Sequence, residues 1–121
     1  MDKQQIFDKV AKHLLTQNKK SVTKDGMCYY RHPTDNLRCA IGCLIPNDVY
    51  EPSMEKKTVL QLLARYPDLR QIFGVDICLD LKSASFLTCL QDIHDNFEPK
   101  DWRDMLKHFA AKHNLSANIL D

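Results

Sequence analysis

The sequence has only three glycines and five prolines in 121 residues, and Gly26, Gly42 and Gly74 are too dispersed to build a phosphate-cradling loop. It has no uninterrupted apolar run of about 18 residues, so it offers nothing to span a membrane. It has no excess of either charge. A formal net charge of +1 argues against a generic nucleic-acid binder and equally against an acidic DNA mimic. It has no Gly-x-Ser-x-Gly elbow and no paired-glutamate helix motif. Its five cysteines are an odd number, which does not fit a disulfide framework. The opening residues run straight into an amphipathic pattern with no signal-peptide core. The expectation is a cytoplasmic protein whose thiols stay reduced.

What is present is ordinary globular material. Apolar residues make up 44% and charged residues 27%, which excludes a disordered chain. A chain of this length reads as a single globular domain, residues 1–121, burying roughly two-thirds of the surface its unfolded form exposes. Such a core needs no metal or disulfide to complete it. Lysines crowd the first 24 residues and carboxylates crowd 76–104, which reads as two solvated faces of opposite sign.

Ile6, Phe7, Val10, Ala11, Leu14 and Leu15 recur at helical spacing, and the stripe ends near Asn18. Residues 27–40 place aromatic residues before a Pro-Thr-Asp-Asn cluster, which predicts a strand, a turn and a second short strand lying against the helices. Cys39–Ile45 is the most apolar stretch, and its small residues suggest a buried helical turn. Thr58 is a candidate N-cap for a helix that Pro67 stops, and Gly74 can cap the next short helix. Alternation over 75–82 suggests an extended segment. Phe86, Leu90, Ile93 and Phe97 mark a helix starting after Ser83 or Ser85, and Trp102, Leu106 and Phe109 mark its antiparallel neighbour. The fold class is α+β, mostly α: four or five helices with a small β-hairpin at one edge. The predicted core is Phe7, Leu14, Ile41, Leu44, Leu63, Phe86, Leu90, Ile93, Trp102, Leu106 and Phe109.

Candidate chemistry centres on sulfur. Cys28, Cys39 and Cys43, with His94, form a weak zinc-ligand set, because structural zinc sites usually bring two short ligand pairs. Free cysteine is otherwise a small buried apolar group. Cys39, or Cys28, is a candidate nucleophile if a histidine lies within reach, and His94 beside Asp95 is the best placed. The plainer reading makes the cysteine a core thiol and His94 an exposed or capping residue. His94-Asp95 also spells the dipeptide of metal-dependent phosphohydrolases, but two letters carry little information. No cofactor is expected. Tyr29, Arg31 and Tyr50 are residue types that anchor partners, and Arg31 suits a phosphate or carboxylate.

Cys28-Tyr29-Tyr30-Arg31, the block Arg38 through Pro46 with Tyr50 after it, and the later Leu90-Gln91-Asp92-Ile93-His94-Asp95 followed by Trp102 resemble a recurrent group of small proteins from bacteria and their phages. No activity is established for that group, so the resemblance carries no catalytic residue. It implies a bacterial or phage origin and a cytosolic setting. Three functions follow as expectations. The first is a non-catalytic binding protein of phage or mobile-element origin, an inhibitor or adaptor that engages a host or defence-system protein in a counter-defence role. The second is a cysteine- and histidine-dependent enzyme or hydrolase. The third is a small-ligand sponge or sensor with a pocket lined by Tyr29, Arg31 and Tyr50. A protein partner is expected, with no nucleic acid and no membrane.

Overall fold

The structure is a computed structural model, and it describes residues 1–74 and 81–121. Helix α1 spans Lys3–Gln17. Its first turn is closed by a capping box: the Asp2 carboxylate accepts the Gln5 N–H at 2.8 Å, and the Gln5 side chain accepts the Asp2 N–H at 2.9 Å. The helix stops where Asn18 turns left-handed at φ 52°. Helix α2, Val59–Arg65, starts from the Thr58 cap, which is reciprocated by Gln61. Pro67 opens α3, Pro67–Phe73, because a proline at the first helical position lacks only an N–H that would go unused. Gly74, at φ 70°, closes it.

Helix α4 spans Leu81–Asn96, and a single 3₁₀ turn at Pro99–Asp101 leads into α5, Trp102–Lys112. Asn114 at φ 56° and the Leu115 N–H bonded to the Ala110 carbonyl at 2.8 Å end α5. Helix α1 packs on α5, on α4 and on the turn at Gly42–Leu44, while α2 packs on α4. The rings of Phe7 and Phe109 stack at 5.9 Å, and Phe86 closes on Phe109 at 5.1 Å. All eleven predicted core residues are buried. The mostly helical reading therefore holds, with five α-helices among the described residues. None of these helices is long and apolar enough to cross a membrane.

The hairpin needs correction. Among the described residues there is no strand, only two isolated antiparallel bridges, Val22 with Cys28 and Arg31 with Arg38. Pro33 removes a donor, and Asn36 turns left-handed at φ 54°, so no ladder can propagate between 31 and 38. Beyond the His32 N–H on the Leu37 carbonyl at 2.8 Å, side chains satisfy much of this backbone. The Glu55 carboxylate accepts the Tyr30 N–H at 2.9 Å, the Arg31 N–H at 3.0 Å and the Tyr50 hydroxyl at 2.6 Å. Gln17 accepts the Arg38 N–H at 3.0 Å and donates to the Arg38 carbonyl at 2.9 Å. Of the extended segment expected over 75–82, residues 75–80 lie outside the described residues. Leu81 and Lys82 belong to α4, which begins earlier than the serines suggested.

The buried turn expected at Cys39–Ile45 is present. The Cys43 N–H reaches the Cys39 carbonyl at 3.1 Å and the Leu44 N–H the Ile41 carbonyl at 2.9 Å. A Cβ at Gly42 would sit 1.9 Å from the Tyr30 carbonyl oxygen, so only glycine lets the two backbones meet. That contact sets the 39–45 turn directly beside the Cys28–Arg31 segment.

Candidate functional site

Three elements meet along α4. The first is the Met27–Tyr30 segment, the second the chain entering α2 at 56–59, and the third α4 itself. Between them lies a cleft of about 390 Å³, lined by Cys28, Tyr30, Lys56, Gln91, Asp92 and Asp95 among others. Gln91 and Asp95 are four residues apart on a helix and so share one face. Asp92 reaches the same cleft from the neighbouring row.

Gln91 is buried and fully bonded. Its Oε1 accepts the Ile41 N–H at 3.0 Å. Its Nε2 then faces Asp95 Oδ1 at 2.9 Å and the Cys28 Sγ at 3.0 Å. The backbone donor at Ile41 fixes which end of the amide is oxygen. His94 is completely buried, stacked on the Trp102 indole at 5.6 Å. The Ser21 N–H donates to its Nε2 at 2.9 Å, and its Nδ1 lies 2.8 Å from Asp95 Oδ1. Because Nε2 accepts, the ring proton sits on Nδ1 and points at the carboxylate. Burial opposes charging this ring, while Asp95 and Cys28 favour it and on balance raise its pKa above the ordinary value. Protonation would nevertheless set an Nε2 proton against the Ser21 amide. The intact hydrogen bond therefore corresponds to a neutral imidazole.

Cys28 is half-buried at the cleft floor. Its ligand atom lies within 4.8 Å of those of His94 and Asp95, a set that the chain order 28, 94, 95 hides. The neighbouring Cys39 thiol and burial push the Cys28 pKa well above the usual thiol value, against a smaller opposite pull from His94. Asp92 is also raised, by burial and by the Asp95 charge. The site thus brings together a thiol, an imidazole with both nitrogens bonded, and the Asp92 and Asp95 side chains facing solvent.

Among the described residues, the proposed four-ligand set for zinc does not assemble. Cys28 and His94 come together with Asp95, whereas Cys43 is buried elsewhere with its thiol donating to the Ala40 carbonyl at 3.0 Å. Burial pushes the Cys43 pKa up to about 12. The residues at hand fit a metal poorly, since both His94 nitrogens are taken. His94 itself is buried, neither exposed nor a cap.

Of the three anchor residues, Arg31 and Tyr50 come together and Tyr29 lies apart. The Arg31 guanidinium stacks on the Tyr50 ring at 4.6 Å and donates to the Ile45 carbonyl at 2.7 Å. Tyr29 packs edge-on to His32 at 5.3 Å and lines a shallow groove with Thr34 and Asp35. Gln91, Ser21 and Lys56 were missed by sequence reasoning. Gln91 offered a signal in being one helical turn before Asp95, but nothing local marked Ser21. No family model, curated protein or solved structure matches the chain.

Proposed function

We propose that the cleft beside α4 holds a small polar ligand and that the chain works as a ligand-binding protein, a sensor or sponge. The observation that carries this reading is the prearranged polar floor: Ser21, His94, Asp95 and Gln91 are hydrogen-bonded in series beneath the cleft. A floor ordered before binding removes the side-chain entropy cost that a ligand would otherwise meet. The cleft's volume of about 390 Å³ falls at the small end of small-molecule sites, roughly 300–1,000 Å³. Asp92 and Asp95 call for hydrogen-bond donors or a cationic group on the ligand. The exposed Lys56 on the opposite wall suits an acceptor or an anionic group.

The test is native mass spectrometry of protein taken gently from cells, paired with thermal-shift screening against amines, amino acids and nucleotides. A bound small molecule, or a stabilising hit lost in Asp92→Asn and Asp95→Asn, is the expected result. Bare protein together with a silent panel overturns the reading.

A second reading is cysteine-dependent catalysis, favoured by the convergence of Cys28, His94 and Asp95 within 4.8 Å. It would need the Ser21 bond to break so that His94 could accept the thiol proton. Cys28→Ser separates the two readings, since it leaves ligand binding in place and abolishes turnover.

A further inference from the structure

Cys28 and Cys39 are carried by two segments that the fold holds side by side. Arg31 bridges Arg38 in antiparallel register, which folds 28–31 back along 38–41. The Tyr30 carbonyl touches Gly42 with no room for a Cβ. A single side chain, Gln91, bonds both the Cys28 sulfur and the Ile41 N–H. Each sulfur also faces an N–H donor: Gln91 Nε2 at 3.0 Å on Cys28 and the Gly42 amide at 3.4 Å on Cys39. The Gln91 donor eases negative charge on the Cys28 sulfur as its proton leaves, against the neighbouring Cys39 and the burial that hold that proton on. The two thiols differ in access, because Cys28 opens on the cleft while Cys39 is wholly buried.

We propose that Cys28 and Cys39 form a thiol pair that closes to a disulfide when a low-molecular-weight disulfide enters the cleft. The Cys28 sulfur, its proton leaving, attacks the incoming disulfide and forms a mixed disulfide, and the displaced small thiolate takes up a proton. The Cys39 sulfur then attacks the Cys28 sulfur, its proton following the second small thiolate out. The protein loses two hydrogens and two electrons, and one small disulfide becomes two thiols. Closure removes the sulfur from Gln91 and changes the cleft floor. The inference does not depend on which ligand the cleft holds.

The reduced full-length chain is incubated under native conditions with oxidised glutathione, quenched with acid, and mapped by peptide mass spectrometry covering all five cysteines. The expected product is a Cys28–Cys39 linked peptide, exceeding the Cys28–glutathione adduct by more than about tenfold because the fold holds the second thiol's segment alongside the first. Cys39→Ser is expected to stop at the glutathione adduct on Cys28. A lasting adduct on Cys28 in the native chain, a linkage joining any other pair, or no reaction at all overturns the proposal. The wild-type map decides this even if the variant does not fold.

Discussion

The helical frame and the irregular segment 18–58 are stabilised by different means. In α1, α2, α4 and α5 the order comes from apolar stripes, and each backbone satisfies itself. In the irregular segment short backbone-bonded turns are tied together by side chains that arrive from elsewhere: Glu55 on Tyr30 and Arg31, Gln17 on Arg38, Gln91 on Ile41 and His94 on Ser21. The frame should therefore tolerate changes of shape and resist loss of volume. The segment should tolerate little change in any group that donates or accepts. The cleft lies where the two meet, with Gln91 and His94 belonging to the frame and bonding to the segment.

The most damaging change to the segment is predicted at Gly42. An alanine there puts its Cβ against the Tyr30 carbonyl, and backbone, unlike a flexible side chain, cannot swing aside. Gly42→Ala is expected to cost about 3 kcal/mol or more, read as a lower urea midpoint. A cost under about 1 kcal/mol would mean that 28–31 and 39–45 are not held in this register.

A matched pair on α4 sharpens the contrast. Gln91→Met keeps most of the side-chain volume but strips the Ile41 N–H of its acceptor, in a site that is only 6% exposed. It is expected to cost about 2–3 kcal/mol, the scale of a buried unsatisfied donor. Leu87→Met, wholly buried on the same helix, removes no hydrogen bond and is expected to cost less than about 1.5 kcal/mol. Chemical denaturation of both variants measures the difference. Equal losses would show that α4 meets the segment through packing alone.

The same contrast explains what the sequence made legible. Periodicity reports the side of a helix that is buried, so Phe7, Leu90, Trp102 and Phe109 were readable, as were the caps at Thr58 and Gly74. The hairpin misled because Tyr29–Arg31 has strand-like composition, while its hydrogen-bond partners lie 24 and 25 residues away in Glu55. The cleft was readable only in part. Cys28, His94 and Asp95 could be named as chemistry-bearing, but the bond that neutralises His94 spans 73 residues to a serine backbone. A backbone donor carries no side-chain signature, so a reading by residue type would assign that imidazole a free nitrogen.

The smallest predicted effect lies inside the frame. His113 sits against the rings of Phe109 at 4.3 Å and Phe86 at 5.1 Å, and its Nε2 is buried without a hydrogen-bond partner. Burial, with Lys112 and Lys3 nearby, lowers its pKa from 6.5. The unfolded chain therefore binds more protons than the folded one between the folded pKa and 6.5. The His113 contribution is complete above pH 6.5 and is lost as pH falls through that window. His13 is lowered by burial too, against the opposite pull of its bond to the Arg38 carbonyl at 2.9 Å, and acts in the same direction. His113→Phe keeps the aromatic contacts and removes one of the two titrations. Between pH 6.5 and about 5.5, above the range in which carboxylates titrate, its melting temperature is expected to fall less steeply than that of the parent chain. Parallel melting curves would show that His113 contributes nothing to the pH dependence of stability.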